Sequence, residues 1–180
     1  MDFKSIEFKN EELYLLDQRF LPVTYVTFIC KTFEDVEFAI RDMVVRGAPA
    51  IGAAGAYGVV LAAKEYIKLS HKDFLSKLAE ACKVLAKARP TAVNLMWAVN
   101  RMESIIRKNQ AKSQEELYGL LTDEANLIAR EDVEINRAMA KIGNSIIPEN
   151  ATILTHCNTG ALATVDYGTA LGVIREAHKS

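Results

Sequence analysis

The sequence has little cysteine: three in 180 residues, Cys30, Cys82 and Cys157, an odd number with no CxxC spacing. That argues against a disulfide framework and against a structural zinc site, both of which need more thiols at shorter intervals. It also lacks a charge of one sign. Basic and acidic residues number 22 and 23, the net charge is −1 and the basic side chains are dispersed, so the electrostatic footprint of a nucleic-acid binder is missing. No apolar run is long enough for a membrane span. The longest uncharged stretch, Gly47 to Ala63, is 17 residues, short of the roughly 20 a helix needs, and it contains Pro49 and several glycines; a buried helix is expected there. The first residues, Met1-Asp2-Phe3-Lys4, carry no apolar core of a signal peptide, and a cytoplasmic location is expected.

The composition that remains, 50% hydrophobic and 25% charged, is that of an ordinary globular chain. Short strands are expected first: Phe3 to Phe8, Leu13 to Leu16 and the β-branched and aromatic run Thr24 to Ile29, with a turn at Asn10-Glu11-Glu12. Helices follow. Thr32 is an N-cap with Asp35 three residues on, for a helix with Val36, Ala39, Ile40 and Met43 on one face. The Pro49 helix runs to about Leu69 and another from about Asp73 to Ala88, with Phe74, Leu78, Ala81, Cys82 and Leu85 at helical spacing. Pro90 is expected to open a helix to about Lys108, with Val93, Met96, Trp97, Asn100 and Ile105 along it. Ser113-Gln114-Glu115-Glu116 is a capping box that starts one long helix, or two broken near Glu131. At Pro148-Glu149-Asn150 the character turns from helical to loop, then to a strand over Ala151 to Thr155 and a helix over about Ala161 to Lys179. The expected architecture is therefore α/β: a mainly helical domain with a short β element over 1–148, then the first βα unit of a Rossmann-like domain over 149–180, left incomplete because one strand and one helix cannot close a core.

Candidate chemistry gathers at three expected helix starts. Arg46-Gly47-Ala48-Pro49 sets a cation, a flexible glycine and a helix-initiating proline in a row, and Ala88-Arg89-Pro90-Thr91 repeats the order of cation and proline. Free amides beside a guanidinium can grip a phosphate, although an arginine before a helix is also commonly just solvated. The third start follows Cys157, with Asn158 or Thr159 as cap, where a helix dipole would make the thiol a better proton donor or nucleophile. His156 adjoins Cys157 but points to the other side of an extended chain. Glu131 and Glu134, or Asp132 and Asn136, are spaced to share a helix face, the commoner outcome being a solvated one. Asp17, Asp166 and Tyr167 stand without a supporting pattern; His71 and His178 lie among charged residues and read as solvated. The glycine-spaced run from Ala50 to Gly58 is neither a Walker loop nor a dinucleotide fingerprint and is read as a surface for close helix approach.

Leu16-Asp17-Gln18-Arg19, Val45-Arg46-Gly47-Ala48-Pro49-Ala50-Ile51-Gly52, Arg89-Pro90-Thr91-Ala92-Val93-Asn94-Leu95 and Thr155-His156-Cys157-Asn158-Thr159-Gly160-Ala161 occur in this order. Together they resemble the methylthioribose-1-phosphate isomerase family of methionine salvage. The resemblance implies an aldose–ketose isomerisation of a phosphorylated pentose, without metal or nicotinamide cofactor. It implies Cys157 as a catalytic residue, Arg46, Gly47, Ala48 and Arg89 as substrate contacts, and a homodimer when full length. Family members are longer, and their catalytic aspartate lies in the second half. The chain is accordingly expected to be a fragment, inactive alone, that associates with a separate C-terminal half. The same superfamily holds ribose-1,5-bisphosphate isomerase and the non-catalytic regulatory subunits of the translation-initiation nucleotide exchange factor. The Cys-Asn-Thr-Gly pattern favours an enzyme over the latter.

Overall fold

A computed structural model describes residues 4–179; Phe3, at the start of the first expected strand, lies outside them. Strands β1 (Ile6–Lys9), β2 (Glu12–Leu16) and β3 (Thr27–Cys30) form one antiparallel sheet in that order. Asn10 and Glu11 turn β1 into β2 with φ of 51° and 58°, the left-handed pair that matches the twist of two short strands. Pairing of Leu13 with Cys30 sets the register, and alternation sends Leu13, Leu15 and Cys30 into the core.

Helix α1 (Phe33–Arg41) begins at a complete Thr32–Asp35 capping box, and α5 (Gln114–Asn144) at a complete Ser113–Glu116 box. Between them stand α2 (Ala48–Tyr66), α3 (His71–Lys87) and α4 (Val93–Lys108); α6 (Ala170–Lys179) follows α5. The centre of the molecule is α2, buried continuously from Ala50 to Ala63 and packed by α1, α3, α4 and α5. Its small residues permit that crowding. A Cβ on Gly52 would lie 3.0 Å from the Asn94 carbonyl oxygen, and one on Gly58 would press into Leu85 and Val36. The α3 core face, Phe74, Leu78, Ala81, Cys82 and Leu85, is the one expected.

Several expectations give way. α1 stops at Arg41, so Met43 lies past its end with φ of 61° and its side chain exposed. Pro90 sits in a turn closed by the Ala92 N–H donating to the Arg89 carbonyl at 2.9 Å, and α4 starts three residues later at Val93. The buried side of α4 is Leu95, Ala98, Val99, Met102 and Ile106, which leaves Val93, Met96 and Trp97 on its open side. α5 is unbroken at Glu131.

The largest correction concerns residues 151–155. They form no strand, and the only sheet among the described residues is the antiparallel one at the start of the chain. A strand exists only where a neighbour satisfies its N–H and C=O groups; here none stands alongside, and Leu154 is 95% exposed. The helix expected over 161–179 is also divided. A single 3₁₀ turn, Ala161–Ala163, ends at an extended Thr164, and Tyr167 and Gly168, with φ of 74° and 92°, turn the chain into α6. This segment is bound to distant parts of the molecule. The buried Ser5 hydroxyl lies 2.8 Å from the Thr164 carbonyl and 3.1 Å from those of Ala161 and Val165; Gln18 Nε2 donates to the Leu162 carbonyl at 2.7 Å. The Val165 N–H donates to Asp132 Oδ2 at 2.7 Å.

Candidate functional site

Between α1 and α2 the chain is held by two backbone hydrogen bonds, one from the segment after β2 and one to α1: Gln18 N–H donates to the Val44 carbonyl at 3.0 Å, and Val45 N–H to the Ala39 carbonyl at 3.2 Å. Arg46 follows on the surface. Gly47, the N-cap of α2, has φ of 94°, a conformation costly for any residue with a Cβ. Such a Cβ would also fall 2.5 Å from the Ala163 carbonyl oxygen, so Gly47 is the seat on which the 3₁₀ turn rests. Pro49 is in the first turn of α2, where its missing N–H costs nothing, and the first amides of that turn have no intrahelical acceptor.

Arg46, Gly47, Ala48, Pro49, Arg89 and Cys157 line one cavity of about 470 Å³. Met43, Asn158, Ala163 and Thr169 complete the wall. The Arg46 and Arg89 guanidiniums make no hydrogen bond or ion pair with any described residue. By contrast Arg19, Arg41 and Arg101 are each bound to carboxylates. Two uncommitted guanidiniums beside the open amides of a helix start give a cavity suited to a phosphate. The Arg89 cation reaches it from the α3–α4 turn, not from a helix start.

Cys157 is exposed with φ of 71°, in a bend three residues ahead of Gly160. Non-glycine residues are rarely found there, and local strain of this kind tends to collect at functional positions. The dipole expected to act on the thiol is absent, since only a one-turn 3₁₀ segment follows and Gly160, not Asn158 or Thr159, is its cap. The Thr159 hydroxyl instead meets that of Thr155 at 3.1 Å. The other two thiols are of a different kind: burial pushes Cys30 and Cys82 up to about 12.

The remaining candidates lie elsewhere. His156 is exposed and does not line the cavity. Asp17 is buried and accepts from Arg19 Nε and Nη2 at 2.9 and 2.7 Å, which holds its carboxyl below the usual range. Glu131 binds Arg101, whereas Asp132 is half-buried, accepts from Asn136 and Val165, and is raised by that burial. Glu134 stays on the surface with Arg130 at 3.9 Å. The Tyr167 ring is flanked by Arg137, Arg175 and Lys179, and Asp166 faces Arg137. His71 meets the Gln110 carbonyl at 2.7 Å, and His178 lines a separate hollow beside Pro148. Sequence reading missed Met43 and Thr169. For Thr169 a signal existed: a Gly-Thr pair immediately before a helical run.

Comparison with known proteins places these residues in a wider set. The pattern of the initiation factor 2 subunit family matches residues 44–180. A methylthioribose-1-phosphate isomerase of Thermoanaerobacter sp. (strain X514) is 64% identical over 179 residues, covering 99% of this chain and 52% of its own length. The one of Caldanaerobacter subterraneus subsp. tengcongensis is 59% identical with the same coverage. Among solved structures, 5-methylthioribose 1-phosphate isomerase from Pyrococcus horikoshii OT3 superposes with a TM-score of 0.93 at 41% identity, over 98% of this chain and 49% of the other. Translation initiation factor eIF-2B, subunit delta, from A. fulgidus gives 0.89 at 42% identity, over 99% and 52%. The chain thus spans about half the length of the curated relatives it matches.

Proposed function

The chain belongs to the initiation factor 2 subunit family, and on that premise we propose that it is the N-terminal part of an aldose–ketose isomerase converting 5-methylthioribose 1-phosphate to 5-methylthioribulose 1-phosphate. The observation that carries this is the single cavity shared by Arg46, Gly47, Ala48, Arg89 and Cys157. Relatives at 64% and 59% identity bear the isomerase name, which supports the substrate class. In this reading residues 149–180 begin a second domain, completed in the relatives by the part of their length this chain does not match.

The chemistry asks for few groups. A furanose 1-phosphate opens when the C1–O4 bond breaks with its electron pair going to O4, and O4 takes a proton. C1 then gains the hydrogen of C2, the C2 hydroxyl gives up its proton, and C2 becomes the ketone. C2 is oxidised as C1 is reduced, so no external oxidant is required. Arg46, Arg89 and the α2 amides hold the phosphate, which fixes C1 near the bend of Cys157. The Cys157 thiol supplies the proton to O4.

Two substitutions test this. Arg89→Ala should weaken binding of the phosphosugar at least about tenfold by calorimetry, the scale of one charge-assisted contact; unchanged affinity would remove the anion site. In a full-length protein carrying this chain, Cys157→Ser should lower turnover far more than binding, and wild-type turnover would sink the thiol's role.

A second reading is kept because of the eIF-2B delta subunit's likeness at 42% identity: a non-catalytic regulatory subunit. Ribose-1,5-bisphosphate isomerase is the nearer catalytic alternative. Failure of any phosphosugar to bind favours the first; preference for the bisphosphate favours the second.

A further inference from the structure

Asp132 and Asn136, one turn apart on α5, do not line the thiol cavity, yet they hold the chain that does. Asp132 Oδ2 accepts the Val165 N–H at 2.7 Å, and Oδ1 accepts from Asn136 Nδ2 at 3.0 Å. Asn136 Nδ2 also donates to the Asp132 carbonyl at 2.8 Å, and the whole Asn136 side chain is buried. Val165 follows the buried Thr164 and Ala163, and Ala163 both lines the cavity and rests on Gly47. Two other groups hold this segment, from the side of the sheet. The Ser5 hydroxyl meets the Thr164 carbonyl at 2.8 Å, and Gln18 Nε2 donates to the Leu162 carbonyl at 2.7 Å. Of the three anchors Asp132 alone accepts from the segment, and it alone can change its charge. The same stretch of chain bends at Cys157, a few residues earlier.

We infer that Asp132 is a positioning residue: its carboxylate, reaching out from α5, fixes the segment that carries Cys157 and Ala163 against the cradle at the start of α2. The effect on turnover rests on the phosphosugar reading; the clamp itself does not. The clamp needs the ionised carboxyl. Each of its oxygens faces an N–H donor, and a proton on either one sets donor against donor. Such a half-buried amide then loses its acceptor away from full solvent. Burial raises the Asp132 carboxyl above the usual 3.8 and the nearby Asp166 adds to this, while the Val165 and Asn136 hydrogen bonds oppose it. The other charges around it are committed: Asp166 to Arg137 at 3.5 Å, and Glu131 to Arg101 of α4. Pro49 and Gly52, the α2 residues of the crevice that Asp132 faces, carry none. The clamp therefore holds above that raised value and opens as the pH falls through it.

The experiment uses a full-length protein carrying this chain and compares two variants. Asp132→Asn keeps the shape of the side chain but turns one acceptor into a donor. Asp132→Glu keeps both acceptors and changes the length. Turnover of 5-methylthioribose 1-phosphate should fall about 100-fold in Asp132→Asn, the scale of a reacting group displaced by about 1 Å. Affinity for the phosphosugar by calorimetry should stay within about threefold, because Arg46 and the α2 amides lie on the other side of the cavity. Asp132→Glu should retain more turnover than Asp132→Asn, the reverse of what a packing role would give. Wild-type turnover in both variants, an affinity loss as large as the turnover loss, or Asp132→Asn as the more active would each overturn the inference. A second readout needs no variant and so survives a failure of Asp132→Asn to fold. In wild-type protein labelled at valine and asparagine nitrogens, the Val165 amide and the Asn136 side-chain amide should titrate with one shared midpoint above 3.8 by NMR. A Val165 amide that does not move, or one with a midpoint different from that of Asn136, would remove the clamp. If Arg89→Ala and Cys157→Ser both behave as wild type, the phosphosugar reading falls, and the Val165 titration still decides the clamp.

Discussion

Cys157 differs from Cys30 and Cys82 in a way that reagents can read. Burial holds the latter two at about 12, so almost none of either is thiolate near neutrality, while Cys157 stands in solvent. Brief iodoacetamide treatment of the folded chain should therefore label Cys157 alone, as peptide mass spectrometry would show; equal labelling of Cys82 would contradict the burial. Asp17 offers a second test. Hydrogen bonds from Arg19 hold its carboxyl below the ordinary 3.8. A carboxylate depressed on folding contributes stability above its unfolded pKa and loses it as pH falls through the folded value. Asp17→Asn should cost about 1–2 kcal/mol at pH 7, a figure kept low because Arg19 is partly solvent-screened, and the gap in urea midpoints should close as the pH drops below about 4. At this scale the sequence announced residue types and not their meetings. Arg46, Arg89 and Cys157 each had a plausible local reading, but their convergence depends on α3 and α4 bringing residue 89 beside residue 46. Asp17 was legible only as an acid; its partner two residues away claims it completely.

The elements that could be read were those whose cause is local. Thr32–Asp35 and Ser113–Glu116 are capping boxes because the residues that satisfy the first amides lie within one turn, and both form as written. The strand expected over 151–155 failed because its cause is not local: β-branched residues alone do not supply a neighbour. On α4 two faces both had helical spacing, and the choice of Leu95 over Trp97 for the core was made by the tight contact with Gly55 of α2. The 161–165 segment was unreadable for the same reason, since what fixes it is Ser5, Gln18 and Asp132. Ser5→Ala removes the buried hydroxyl whose single proton sits among three carbonyls there, nearest that of Thr164 at 2.8 Å. It should lower stability by about 1–2 kcal/mol, the cost of an unsatisfied buried group, and speed hydrogen exchange in 161–168 ahead of α2. Uniform exchange across the chain would count against a separate latch.

For the molecule as a whole, α2 is the common wall: its body is the core and its first turn is the floor of the cavity. The consequence for activity is that the 180-residue chain should bind the phosphosugar without turning it over, since the relatives carry as much sequence again beyond what this chain matches. Turnover by the purified chain would refute that. The bonds from Ser5 to residues 161, 164 and 165 join positions 156–160 apart in the sequence, and contacts of such span are the slow ones to form because the loop they close is long. On a ribosome the sheet and the first five helices emerge before residue 161, with α5 still lacking the packing that α6 gives it. The cavity shared by Arg46, Arg89 and Cys157 cannot form at that stage. It comes into being only when the last stretch of this chain folds back on the first, so an unfinished chain holds the cradle of Gly47 ready but empty of its far wall.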